Sequence, residues 1–136
     1  MSTTETNRAV ARRFYEEAVT QGRLEVLDEI IADDARDGAG PAGGAGGRDG
    51  FVQHITWLRS AVEGVTATVT DTVAEGDRVV VYWTIEGVQR GNVFGAPPSG
   101  RRFTGQSIST IRFRDGRIVE YEVLPDRLGI LEQLTL

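Results

Sequence analysis

Apolar residues recur at helical spacing in the first half of the chain and at every second position in the second half. From about Thr6 to Thr20, Val10, Phe14 and Ala18 share one stripe with Tyr15 and Val19 beside it, which predicts an amphipathic helix. Gln21-Gly22 closes it, because glycine ends helices at little conformational cost. Leu24, Leu27, Ile30 and Ile31 predict a short second helix. Asp33-Asp34 follows and reads as a turn, since carboxylates are mildly unfavourable at a helix C-terminus. A third helix is predicted from about Arg48 to Glu63, with Phe51, Ile55, Leu58 and Val62 inward and Asp49 near its start.

Beyond it the period changes to two. Val65, Ala67 and Val69 alternate with Thr66, Thr68 and Thr70, a half-exposed strand running to Val73. After a turn at Glu75-Gly76-Asp77, the stretch Arg78–Gln89 carries Val79, Val81, Trp83 and Ile85 on one face and Val80, Tyr82 and Thr84 on the other. Apolar groups on both faces imply cover on both sides, one from helices or a pocket and the other from a second subunit. Phe103–Phe113 and Arg117–Leu124 form a hairpin about Asp115-Gly116, a strong turn signal. A short helix ends the pattern. Helices segregated from a mostly antiparallel sheet define an α+β fold. A curved sheet wrapped around N-terminal helices leaves a cone whose open end is the natural ligand site.

Size and composition narrow the function classes. The 136 residues are expected to form one domain, with a flexible Gly-rich loop at about 38–50 that reads as a surface loop or a lid over a pocket mouth. A phosphate cradle is not indicated, because no strand precedes the glycines and no Lys-Ser/Thr follows them. The net charge of −5, with scattered arginines, argues against nonspecific nucleic-acid binding. Without cysteine there is no disulfide and no thiolate nucleophile or ligand. One histidine among dispersed carboxylates offers no recognisable metal spacing. No secretory signal pattern and no apolar run near 18 residues is present, so a cytoplasmic protein without membrane association is expected.

Gly95-Ala-Pro-Pro-Ser-Gly-Arg-Arg-Phe103, the Arg112-Phe-Arg-Asp-Gly-Arg-Ile-Val-Glu120 hairpin and the Leu128-Gly-Ile-Leu-Glu-Gln-Leu134 tail resemble the SnoaL-like polyketide cyclase family. The resemblance covers most of the chain, including Phe51, Gln53 and Trp57. It implies the α+β barrel of the nuclear transport factor 2 superfamily. It also implies an enzyme without cofactor, often a homodimer or higher homo-oligomer, that closes a ring of an aromatic polyketide by intramolecular aldol condensation. Relatives of the same shape imply alternatives, namely hydroxylation of such polyketides or epoxide opening. In the family a His and an Asp on the last two long strands serve as the acid/base pair. Their places fall here on Ser109 and Val123, and valine cannot accept a proton.

Another acid must then take the base's role, or the reaction differs. Strand alternation groups Ser107, Ser109, Ile111, Phe113, Val119, Tyr121 and Val123 on the inner face and turns Glu120 and Glu122 outward, toward Arg112 or Arg114. Asp126, at the rim, is the leading candidate base, with helix capping through the Leu128 or Gly129 amide as the competing role. Asp33 and Asp34 are lesser candidates. Tyr15 is placed to hydrogen-bond a substrate carbonyl, with simple core packing as the competing role. Trp57 and Trp83 offer stacking surfaces for a flat ligand, or core packing. Ser107, Ser109, Tyr121 and Val123 complete the expected substrate-binding wall. His54 reads as a structural or surface residue.

Two classes therefore stand, a polyketide-tailoring enzyme and a non-catalytic ligand-binding or accessory protein. An enzyme should bring a buried carboxylate or a Tyr/Ser pair to one point; a binder should present a uniformly apolar cavity.

Overall fold

The computed structural model describes residues 2–40 and 43–136; Pro41 and Ala42 of the expected Gly-rich loop lie outside it. Helix α1 spans Thr3–Arg13, starting earlier than the apolar stripe alone suggests. Ser2 and Glu5 form a capping box, the Ser2 hydroxyl accepting the Glu5 amide (3.2 Å) and the Glu5 carboxylate the Ser2 amide (3.4 Å). The helix then widens into a π-helical segment, Phe14–Thr20, whose bonding reaches five residues back, as in Gln21 N–H to Glu16 C=O (3.2 Å). This wider winding presses Phe14, Tyr15, Ala18 and Val19 together against the sheet. Gly22, at φ +73°, ends it as expected.

The second helix is shorter than expected. A 3₁₀ turn at Leu24–Val26 leads into α2, Leu27–Ile30, and the chain then extends as β1, Ile31–Asp37. Asp33-Asp34 is thus not a turn. Both carboxylates point outward from an edge strand, Asp33 toward Arg48 (2.5 Å) and Asp34 toward Arg114 (2.8 Å), while Ile31, Ala35 and Asp37 are buried. Charged side chains of this kind blunt an exposed sheet edge.

Helix α3 spans Gly47–Ala61, stopping two residues before its expected end because Val62 and Glu63 already belong to β2, Val62–Glu75. Gly47 adopts φ +56°, and a Cβ there would collide with the Asp33 carbonyl, so glycine alone lets α3 start against β1. Strands β3 (Arg78–Gln89), β4 (Arg102–Arg114) and β5 (Arg117–Pro125) follow, with α4 over Arg127–Thr135. The sheet order is β1-β5-β4-β3-β2, antiparallel except for the parallel β1/β5 pair. The turn at Asp115-Gly116 has φ of 53° and 76°, the left-handed pair that a two-residue hairpin requires.

Bulges in β2 and between β4 and β5 bend this sheet over the helices. The second bulge shifts the register so that Ile118, rather than Val119, takes the fully buried inner position. Ile130 of α4 docks where Gly105 has no side chain. On the outer face Tyr82, Ile108 and Leu124 are directly paired neighbours on β3, β4 and β5, forming an exposed apolar row. Among the described residues no helix is long and apolar enough to cross a membrane.

Candidate active site

Between the inner face of the sheet and the helices lies a cavity of about 220 Å³. Its floor and walls are mostly aromatic and aliphatic. Tyr15 packs on Trp83 (centroids 4.8 Å apart) and Phe14 on Tyr121 (5.2 Å), with Ile55, Leu58, Ile85 and Phe103 around them. The hollow therefore has the apolar lining expected for a flat, water-excluding ligand site.

Set into that wall is a chain of polar groups. The Trp83 indole Nε1–H donates to Ser109 Oγ (2.8 Å), Ser109 Oγ lies 3.0 Å from the Tyr121 hydroxyl, and that hydroxyl lies 3.0 Å from the Tyr15 hydroxyl. Three contacts consume three of the four hydrogens these groups carry, so one hydroxyl hydrogen remains for another partner. Ser109 is fully buried behind the cavity wall, whereas Tyr15 and Tyr121 line it. With Ser109 donating to Tyr121, the unspent hydrogen lies on one of the two phenols that line the cavity. Burial is the main force raising both phenols. It holds Tyr121 at about 12, against the smaller opposing effect of its hydrogen bonds to Ser109 and Tyr15. Tyr15 lies well above its ordinary value, mainly through burial and next through the proximity of Tyr121. Both are neutral donors at any physiological pH.

Beside Tyr121, at the end of β1, sits a carboxylate that the sequence reading did not single out. Asp37 pairs with Tyr121 in the parallel β1/β5 register, and its side chain is only 4% exposed. Its Oδ1 accepts the Ala39 amide (3.0 Å) and its Oδ2 lies 2.7 Å from His54 Nδ1. His54 is half-buried; it lines the cavity, and its ring lies 6.2 Å from that of Trp57 at an interplanar angle of 27°. Trp57 itself stands at the mouth, 45% exposed.

The remaining expected residues divide. Trp83, Ser107, Tyr121 and Val123 line the cavity. Ser109 does not; it holds Trp83 and Tyr121 from behind. Asp126 is exposed and outside the lining, where its Oδ1 accepts the Gly129 amide (3.0 Å) at the start of α4. Helix capping, the competing role, is the one its geometry serves. Glu120 and Glu122 lie with Arg78 and Arg112 around a polar depression on the outer face.

The mouth is shaped by the β3–β4 loop, which the sequence marked but whose anchor it did not. Gln89, fully buried, donates to the Gly91 (3.0 Å) and Ala96 (2.9 Å) carbonyls and accepts from the Ser99 amide (3.2 Å) and hydroxyl (2.6 Å). This places Val93 and Phe94 at the cavity, Phe94 at φ +51° beneath the Arg127 guanidinium (4.8 Å).

An open five-stranded mixed sheet curved around helices to enclose a ligand-sized hollow is the α+β cone of the nuclear transport factor 2-like fold. Within it, the chain belongs to the SnoaL-like polyketide cyclase family, whose profile matches residues 9–134. It is similar to nogalonic acid methyl ester cyclase of Streptomyces nogalater, at 31% identity over 119 residues, covering 86% of this chain and 89% of the relative. Aklanonic acid methyl ester cyclase DnrD of Streptomyces peucetius is 35% identical over 89 residues, covering 65% of this chain and 61% of that one. The structure of TsrD from Streptomyces laurentii superposes with a TM-score of 0.88 at 30% identity, over 99% of this chain and 98% of that one.

Proposed function

We propose that this protein closes a ring of an aromatic polyketide ester by intramolecular aldol condensation, without a cofactor. Such a closure needs a proton removed from an activated carbon, charge held on the enolate oxygen, and a ketone held against the new nucleophile. The observation that carries the reading is the hydroxyl chain of Tyr15, Tyr121 and Ser109, with one hydrogen unspent, set into an otherwise apolar cavity beside a buried carboxylate. Phenols that stay protonated can donate to a developing enolate oxygen without competing for its charge. The aromatic walls and the Trp57 face at the mouth suit a flat fused-ring substrate. Two relatives named as cyclases of polyketide acid methyl esters support a substrate of that class. A purely ligand-holding protein has no need of a phenol pair and a carboxylate brought to one point.

The exposed row Tyr82–Ile108–Leu124 supports the homo-oligomer implied by the family, with the outer face of one sheet covered by a second copy.

Incubation with nogalonic or aklanonic acid methyl ester, followed by chromatography and mass spectrometry, tests the reaction. Aldol closure moves no atoms in or out, so the expected product is an isomer of unchanged mass. Gain of one oxygen would indicate hydroxylation instead, and unaltered ester retained by the protein would indicate binding alone.

A further inference from the structure

We infer that His54 is the general base of this ring closure, with its proton-accepting nitrogen fixed by Asp37; the inference rests on the cyclase reading above. An ionised carboxylate only accepts hydrogen bonds, so the 2.7 Å contact to Asp37 Oδ2 places the ring hydrogen on Nδ1. In the neutral imidazole Nε2 is then the bare nitrogen, a proton acceptor. The Ala39 amide holds the other carboxylate oxygen, and Trp57 lies alongside the ring, so the imidazole edge is fixed on a cavity wall. Among the described residues the ring makes no second hydrogen bond.

The other acids are engaged elsewhere. Asp33 and Asp34 point outward to Arg48 and Arg114, Asp126 caps α4, and Glu120 and Glu122 lie on the outer face. The pair thus supplies, from β1 and α3, the function that Ser109 and Val123 cannot supply from β4 and β5.

The step balances without a co-reactant. Nε2 takes the proton from the activated carbon, and the C–H electron pair moves into an enolate whose oxygen accepts a hydrogen bond from the Tyr15 or Tyr121 phenol, which keeps its proton. The enolate carbon bonds to the ketone carbon, whose carbonyl π pair becomes an alkoxide. The imidazolium, steadied by Asp37, returns its proton from Nε2 to that alkoxide. Asp37 is a positioning residue. In Asp37→Asn the side-chain oxygen can keep the Ala39 amide while the NH₂ faces Nδ1, which forces the ring hydrogen onto Nε2 and removes the base without emptying the site.

The test follows hydrogen–deuterium exchange at the activated carbon of aklanonic acid methyl ester in D₂O, alongside ring closure. Wild-type protein should accelerate exchange above buffer, and His54→Gln should lower that rate about 10²- to 10⁴-fold. Asp37→Asn should lower the saturated rate with a half-saturating concentration within about twofold of wild type. Added imidazole should restore exchange to His54→Ala, a recovery no misfolded variant gives. Exchange by His54→Gln as fast as wild type, or none by wild type above buffer, overturns the assignment. Exchange lost in His54→Gln without any ring closure upholds His54 as base while refuting the cyclase reading.

Discussion

The phenol oxygens of Tyr15 and Tyr121 lie 3.0 Å apart, although 106 positions separate the two residues in the chain. One comes from the π-helical segment and the other from β5, and their meeting places a hydrogen-bond donor in the wall of a cavity with few other polar groups. Tyr121 is the middle link, bonded also to Ser109. Tyr121→Phe should therefore lower kcat about 10²- to 10³-fold, the usual cost of one donor to a developing oxyanion. Ser109→Ala, acting only through Tyr121 and Trp83, should cost less. Steady-state kinetics on the ester measures both.

The same burial gives a pH signature. A tyrosine ionises near pH 10 in an unfolded chain, whereas Tyr121 in the fold does so at about 12 and Tyr15 lies well above its ordinary value too. The folded state thus binds more protons than the unfolded state above pH 10. Stability from these groups is complete below that pH and falls as pH rises toward and past 12. Denaturant titrations from pH 8 upward should show a level plateau followed by this decline. Tyrosinate absorbance from two of the three tyrosines should lag until the protein unfolds.

Gln89 should matter to the mouth more than to the floor. Gln89→Leu leaves the Gly91 and Ala96 carbonyls and the Ser99 groups without their partner. A loss of about 1–3 kcal/mol in denaturant unfolding is expected. A raised KM should accompany it, because Val93 and Phe94 lose their fixed placement. Comparison of KM with kcat separates this effect from loss of catalysis.

A charge in the outer apolar row should dissociate the proposed homo-oligomer. Ile108 is the centre of that row, paired with Tyr82 on one side and Leu124 on the other. Ile108→Arg should shift sedimentation to the monomer while the cavity, on the opposite face of the sheet, is left intact. A wild type that already sediments as a monomer rules out the oligomer.

What could be read before folding follows from how local each signal is. The apolar stripe of Val10, Phe14 and Ala18, the alternation along Arg78–Gln89 and the Asp115-Gly116 turn act over a few residues, and all three appear in the structure. β1 was hidden because its three aspartates carry poor strand propensity; pairing with β5 and the arginines across the edge override it. The place of Ile118 depends on a bulge, which alternation cannot show. At the site, Tyr15, Trp83 and Tyr121 were legible from their faces. The Asp37–His54 pair was not, since it joins a strand hidden in the sequence to a helical residue 17 positions on. The only trace was an acid on the inward parity of Ala35, just ahead of the glycines.

The central claim is that a substrate carbonyl docks on the Tyr15–Tyr121 pair inside the apolar hollow. A crystal structure of the protein with the cyclised ester tests it most directly. A ring-system oxygen at about 2.5–3.0 Å from one of the two phenol oxygens, with the rings beside Trp83, is the predicted result. A ligand bound outside the hollow, or inside it with every oxygen turned away from both tyrosines, would contradict the account.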